Sequence, residues 1–313
     1  MELKQLRYFL GITEAGSLLQ ASSRLHIAQP ALGQQISSLE SELGVKLFSR
    51  STKGMMLTHQ GRVFLEHAKV VLTDAERAKE AVRQSATQLQ GHVVLGLPTT
   101  VALAATVPIV EACRKKFPHI QLQVIEAYSG FLREWLQMGR LDLAILFGDG
   151  PDMDLQKRPL LEERLAFVAP PNKITLPKSI RLKKISEREL ILPGKEHGLR
   201  KIIDDVCHQQ KIILNVITEI DSLSSVKSAV SKGIGCTILS QSSVIDEVRS
   251  GALQASIISD SEMKRRVVCA TSITRPTTQA SAAVINLAIQ LINNMVATGS
   301  WPAKWIGESN CEH

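Results

Sequence analysis

The sequence predicts an α/β protein with an N-terminal winged helix-turn-helix, a long linker helix and a two-lobed α/β body. Three observations predict it. Residues 16–50, GSLLQASSRLHIAQPALGQQISSLESELGVKLFSR, read as two helices joined by a tight turn, with a basic exit. A seam of apolar residues at heptad spacing follows, in a stretch without proline. From Gly91 onward, short apolar runs alternate with helical stretches.

The head comes first. Leu3, Leu6, Phe9, Leu10 and Ile12 carry helical spacing and supply an amphipathic helix that backs the pair. Ser17 suits an N-cap for a helix over Leu18 to Leu25, because its hydroxyl accepts from a free amide of the first turn. His26 and Ile27 make the turn. The second helix runs from Ala28 to Leu43, with Pro30 in the first turn, where a missing N–H costs little. Gly44 stops it. Ala31, Ile36, Leu39 and Leu43 are its expected apolar stripe; Gln29, Gln34, Gln35 and Ser38 decorate the rest. Val45, Leu47 and Phe48 can plug the core. Arg50 and Lys53 then lead through a turn at Gly54 to a return strand over Met55 to Thr58. In such a pair the second helix enters the major groove and reads base edges from its first turns. Amides at Gln29 and Gln34 suit base edges; cations at Arg50 and Lys53 suit phosphates.

Residues 1–61 resemble the winged-helix head of LysR-type transcriptional regulators. LKQLRYF, GSLLQAS, AQPALGQQISSLESELG, LFSR and LTHQG match that family's pattern in order and spacing. Within the family, LHIAQPAL and VPIVEACRKKFP most resemble the nitrogen assimilation control branch. The resemblance implies a DNA-facing set of Leu18, Gln29, Pro30, Ala31, Gly33, Gln34, Ser38, Arg50, Lys53 and Thr58. One position departs: Gly33 stands where the family usually has serine. Glycine inside a helix costs about 1 kcal/mol against alanine, and here it also removes a hydroxyl.

The linker is expected over residues 59–90, after a head of residues 1–58. Phe64, Ala68, Val71, Ala75, Ala78 and Val82 recur at spacings of four and three, with Leu89 one heptad after Val82 and an interruption at Ser85. Small alanines allow close helix approach. The bland alternative is a helix lying on its own domain; the seam's length favours pairing with a second copy, which would set two recognition helices at a fixed separation. The resemblance implies the same dimer, with tetramers (a homotetramer) as the usual assembly.

The body is expected over residues 91–306, with a tail at 307–313. Strands fit at His92–Gly96, Ile120–Glu126, Leu141–Phe147, Leu165–Ala169, Leu190–Leu192, Ile213–Glu219, Cys236–Leu239 and Arg266–Thr271. Helices fit at Val101–Phe117, broken or offset at Pro108, and at Gly130–Met138, Gly198–Gln210, Leu223–Ser231, Val244–Ser250 and Gln279–Val296. The alternation predicts mostly parallel sheets. The resemblance implies a periplasmic-binding-protein-like effector domain, with lobe one at 92–163 and 268–300 and lobe two at 164–267. The chain would cross between lobes near Glu162 and near Arg266.

Thr99 and Thr100 open a helix after the first strand of the body. Free N–H groups and the helix dipole there suit an anion, and the resemblance places effectors at that position; ordinary capping is the alternative. Ser129 with Gly130, Pro193 with Gly194, and the flanking His197 and Arg200 are further effector-binding candidates on the same logic. The expected effector is a small polar or anionic molecule, with control by abundance as the alternative.

Composition bounds the rest. The chain has 313 residues, 44% hydrophobic, with a formal net charge of +7, which suits a polyanionic partner such as double-stranded DNA. The expectation is a cytoplasmic protein. The first residues lack the apolar stretch of a secretory signal, and the run Val101 to Val110 is too short to span a bilayer. Cys113, Cys207, Cys236, Cys269 and Cys311 lie far apart, as suits reduced thiols. A redox pair of Cys207 and Cys236 is the weaker reading of those two. Cys207-His208 and Cys311-Glu312-His313 are too sparse for metal sites. No P-loop, GxSxG, HExxH or GxGxxG occurs. Neither an enzyme, a cofactor nor a membrane partner is therefore expected; contact with RNA polymerase is the expectation that accompanies a regulator. A small-molecule binding module with a non-regulatory DNA anchor is the alternative function.

Overall fold

Helices α1 (Leu3–Ala15), α2 (Leu18–Leu25) and α3 (Gln29–Leu43) build the head. A computed structural model describes residues 1–51, 54–83, 89–148, 150–171 and 176–308. Gly16 in the left-handed region (φ 70°) ends α1, and the Ser17 hydroxyl accepts the Gln20 N–H at 3.1 Å to start α2. His26 (φ 54°) turns the chain, and Gly44 (φ 68°) ends α3. Strands β1 (Phe48–Ser51) and β2 (Gly54–Leu57) pair antiparallel as the wing. Helix α4 (His59–Arg83) follows.

Leu6, Phe9 and Ile12 of α1, Ala21 of α2, and Leu32, Ile36 and Leu39 of α3 share one core with Leu47, Phe48 and Ala68. Phe9 is fully buried, with the Phe48 and Phe64 rings each 5.1 Å away. Burial of such a ring stabilises by about 1.5–3 kcal/mol. The stripe of α3 starts at Leu32, not at Ala31. Ala31 is exposed and Leu43 sits at the rim, because the period that meets α1 runs 32, 36, 39.

The chain divides into two compact units, Met1–Gln88 and Leu89–His313. The second opens with β3 (Gly91–Leu97), α5 (Thr99–Lys116), β4 (Ile120–Glu126), α6 (Ser129–Gln137) and β5 (Leu143–Phe147). A long strand, β6 (Leu155–Ala169), leads to β7 (Ser179–Ile180), α7 (Leu182–Ile185), β8 (Glu189–Leu192) and α8 (Gly198–Gln210). Then come β9 (Asn215–Glu219), α9 (Leu223–Ser231), β10 (Thr237–Ser240), a 3₁₀ turn over Gln241–Val244, and α10 (Ile245–Arg249). The body closes with β11 (Gln254–Ile258), β12 (Lys264–Ser272), α11 (Gln279–Ala297) and β13 (Lys304–Trp305).

In lobe one, β4-β3-β5-β12-β6 form a sheet with a core on each face. Val93, Leu95, Leu143, Ile145, Val267 and Cys269 face α5 and α11; Val94, Ala144, Leu146, Val268 and Ala270 face α6. This follows from the period of two along a strand. In lobe two, the far half of β6 lies between β10 and β11, over a core with Leu190, Ile191, Leu199, Ile203, Val226 and Val230. Strands β6 and β12 run antiparallel through the junction, with Glu162 opposite Arg266 and Glu163 opposite Arg265.

Several expectations are corrected. The sheets are mixed rather than mostly parallel: β12 pairs antiparallel with β5 and β6, and β10, β11 and β13 pair antiparallel with β6. Strand β6 begins ten residues before the expected Leu165. Its first half, LQKRPLLEER, hides a strand behind charges and Pro159, which sits where the register shifts. Helix α5 runs through Pro108 unbroken, because Val101, Ala105, Ile109 and Cys113 bury one continuous face. Strands β7, β11 and β13 are short and were not expected. Helix α11 has the length and composition of a membrane span, yet Val284, Leu287, Ala288 and Ile292 bury one face of it in the lobe-one core.

Candidate nucleic-acid interface and inter-lobe cleft

Burial of Leu32, Ile36 and Leu39 turns the opposite face of α3 outward. Gln29, Pro30, Ala31, Gln34 and Ser38 are exposed, and a Cβ at Gly33 would meet nothing within 4 Å. Gly33 is therefore not required by packing, and its space is open for contact. Leu18 is half-buried on the head core. Lys53 and the Arg50 side chain lie outside the described residues. The wing is docked to the turn after α1: the Met55 N–H donates to the Gly16 carbonyl at 2.9 Å. A Cβ at Gly54 (φ +111°) would stand 2.5 Å from that same oxygen, so glycine is needed there.

Two residues hold the wing from the other side. The Thr58 hydroxyl donates to the Lys46 carbonyl at 2.6 Å and accepts the Gly61 N–H at 2.9 Å, which caps α4. Its hydrogen bonds are thus committed within the head. Glu40, buried on α3, accepts from the Leu47 N–H at 2.8 Å, the Phe48 N–H at 3.2 Å and the Lys46 ammonium at 2.7 Å. Burial pushes its carboxyl up, but Lys46 and the two amides outweigh this and hold it below the usual carboxylate range. Sequence reading missed Glu40; an acidic residue one turn before a helix stop and six before a lysine was the available signal. Glu40→Ala should cost about 2–3 kcal/mol, since two buried N–H groups lose a charged acceptor. The wild-type contribution should be full above the ordinary glutamate range and fade as pH falls through the lowered value. Thermal unfolding of both proteins across acid pH checks this; a Glu40→Ala deficit that persists unchanged at the lowest pH would contradict the role.

The apolar seam of α4 divides. Phe64 and Ala68 join the core of their own head, so they are not open for pairing. Val71, Ala78 and Val82 are exposed and Ala75 is half-buried, which leaves an open stripe from Val71 onward. Ser85 lies outside the described residues.

In the body, α5 and α6 face α9 and α10 across a cleft of about 810 Å³. Thr99, Leu103, Tyr128 and Phe131 line one wall; Asp221, Leu223, Lys227 and Glu247 line the other. Tyr128 bridges the walls: its hydroxyl donates to the Asp221 carbonyl at 3.3 Å and its ring meets His197 edge-on at 5.2 Å. Lys227 is paired with Glu247 at 2.7 Å. His197 caps α8 by accepting the Leu199 N–H on Nδ1 at 3.1 Å. Burial depresses its pKa, with Asp221 opposing and Arg265 adding to the shift, so the ring stays neutral at pH 7.

Among the described residues, Thr99 is the one of the eight sequence candidates that lines this cleft. Arg200 is spent: it donates to both oxygens of Asp204 at 2.9 Å, to Glu219 at 2.9 Å and to the Pro193 carbonyl at 3.0 Å. The Ser129 hydroxyl accepts the Phe147 N–H at 3.4 Å, and Gly130 is exposed on α6. Thr100 turns away from the cleft and accepts from Arg265 Nη2 at 2.7 Å. Arg265 in turn donates to Glu163, with both side chains buried.

A model described as "Bacterial regulatory helix-turn-helix protein, lysR family" matches residues 3–62, and one described as "LysR substrate binding domain" matches residues 86–292. The chain belongs to the LysR family of transcriptional regulators. Members of this family are regulators of transcription, not enzymes. The nitrogen assimilation regulatory protein nac of Klebsiella aerogenes is 33% identical to this LysR-type regulator over 243 residues, covering 77% of this chain and 79% of the relative. The HTH-type transcriptional regulator BbuR of Bordetella bronchiseptica is 30% identical over 308 residues, covering 95% and 92%. Among solved structures, full-length CbnR complexed with its target DNA superposes with a TM-score of 0.70 at 19% identity, covering 93% of this chain and 100% of that one. A full-length OxyR variant from Pseudomonas aeruginosa gives 0.69 at 24% identity, covering 94% and 98%. The two structures share the fold with this regulator.

The four described cysteines of the regulator are buried. Burial pushes Cys207 up to about 11, with Asp204 adding, and Cys269 up to about 12. Cys236 shifts upward for the same reason. Thiols held neutral in this way are poor nucleophiles, which speaks against Cys207 and Cys236 as a redox pair. Cys311 lies outside the described residues. Among the described residues no group of three or more metal-ligating side chains occurs.

Proposed function

We propose that this LysR-type regulator acts in the cytoplasm as a dimer joined through the open stripe of α4, assembled further into tetramers, on double-stranded operator DNA. Gln29 and Gln34 read base edges; Pro30, Ala31, Gly33 and Ser38 face the groove; Arg50 and Lys53 hold the backbone. The observation that carries this reading is the exposed polar face of α3 at Gln29, Gln34 and Ser38, set against the buried stripe of Leu32, Ile36 and Leu39. Leu18 and Thr58 support the interface by packing and capping rather than by touching DNA. The chain carries no catalytic activity, and an activated complex would be read by RNA polymerase.

The inter-lobe cleft is the place for a small polar effector, contacting Thr99, Tyr128 and Asp221. Glu126, Asp221 and Glu247 line it against the single Lys227, which Glu247 already pairs. That balance favours a ligand with a positive group over a free anion.

The test is a comparison of specific and random DNA. Gln29→Ala should cost about 1–3 kcal/mol on the operator and little on random duplex. Equal losses on both would remove Gln29 from the reading set.

A further inference from the structure

We propose that Arg265, Ser242 and Trp301 form a carboxylate-binding site at the lobe junction, which the regulator's own Glu163 occupies as a tethered ligand. The donors converge from three separate elements. Arg265 Nε, on β12, donates to Glu163 Oε1. The Ser242 hydroxyl, in the 3₁₀ turn of lobe two, donates to Oε2 at 2.7 Å. The Trp301 indole N–H, in the segment after α11, donates to the same oxygen at 3.1 Å. Glu163 is fully buried and the Arg265 side chain is 3% exposed. The guanidinium lies over the Phe147 ring, 3.7 Å from its centroid, and its Nη2 reaches Thr100.

Both oxygens of one carboxylate are thus satisfied by N–H and O–H donors from both lobes, in a place closed to water. A buried ion pair of this kind contributes little net stability, since apolar replacements of the same volume often serve as well or better. What the arrangement does provide is a geometric tie: one carboxylate holds β6, β12, the 3₁₀ turn and the segment after α11 in register. It also fills from within the position beside Thr100, where an external anion would otherwise find its cation. The wild-type regulator therefore ignores small carboxylates at this point. This inference is independent of whether the neighbouring cleft takes an effector.

Glu163→Ala removes a CH₂–COO⁻ unit, the size of acetate, and leaves Arg265, Ser242 and Trp301 facing the vacancy. Thermal unfolding of the full chain is followed in sodium acetate and sodium formate against sodium chloride at equal ionic strength. The expected result is a lowered midpoint for Glu163→Ala that acetate or formate raises with the logarithm of its concentration once above Kd, by about 4 °C at tenfold excess over Kd, with no such rise for the wild type. The response should vanish in the Glu163→Ala/Arg265→Met double variant. No rise beyond chloride, an equal rise in the wild type, or a rise that survives loss of Arg265 would each overturn the proposal. Should Glu163→Ala not fold unaided, its refolding yield from urea is compared in acetate and chloride: recovery in acetate supports the site, and equal yields refute it.

Discussion

Arg265→Met is expected to destabilise the body by about 3–5 kcal/mol, because it strands the fully buried Glu163 carboxylate without its cation. Trp301 and Ser242 still donate to it, but neither carries charge. The double variant Glu163→Leu/Arg265→Met should regain most of the loss, since both charges leave together and apolar groups fill the volume. Urea unfolding followed by tryptophan fluorescence isolates the effect. All three tryptophans, Trp135, Trp301 and Trp305, lie in the body, so the signal is silent on the head. A single variant within about 1 kcal/mol of the wild type would mean that the junction relaxes around the orphaned charge, against the usual cost of such a group.

Val71→Glu is expected to dissociate the dimer and to lower operator affinity roughly 100-fold or more, by the cost of a buried unpaired charge at a helix contact. Val71 is 38% exposed on its own head, so the substituted chain should still fold. Phe64→Glu supplies the contrast. Phe64 packs edge-on against Phe9, and a carboxylate there should unfold the head outright. Sedimentation velocity and far-UV circular dichroism separate the two outcomes. If Val71→Glu sediments as the wild type does, the open stripe of α4 is not the interface.

Gly33 marks what single residues of the recognition helix leave open. Its Cβ position is empty, so packing does not explain it; under the proposed DNA-reading role its consequence would lie in what that face offers to a base.

Local signals in the chain were sufficient for much of this molecule. Ser17 and the alternation of apolar runs predict helices that the structure places at Leu18–Leu25, Gly198–Gln210 and Leu223–Ser231, each with the expected bounds, and Gly44 predicts the end of α3 at Leu43. Caps and turns act over three or four residues, so they can be read from neighbours alone. The phase of α3 was harder. A choice between Ala31 and Leu32 moves the buried stripe by one position, and only contact with α1 decides it. The halves of α4 likewise look alike in sequence; Phe9 takes Phe64 into the head and leaves Val71 open.

The junction could not be read locally at all. Glu163 and Arg265 are 102 positions apart, and Thr100 is 165 from Arg265. Charges embedded in LLEERL and KRRVV were the available hint, yet their partners depend on β6 and β12 crossing at that register. The same crossing directs Thr100 toward Arg265 and commits its hydroxyl, while Thr99, one residue away, lines the cleft. Sequence by itself determined the family and most of the helices, through interactions that close within a helical turn or a short motif, but not the first half of β6 or the strands β7, β11 and β13. Tertiary structure alone decided which polar groups are already satisfied, because burial and long-range strand register set which donors each acceptor can reach.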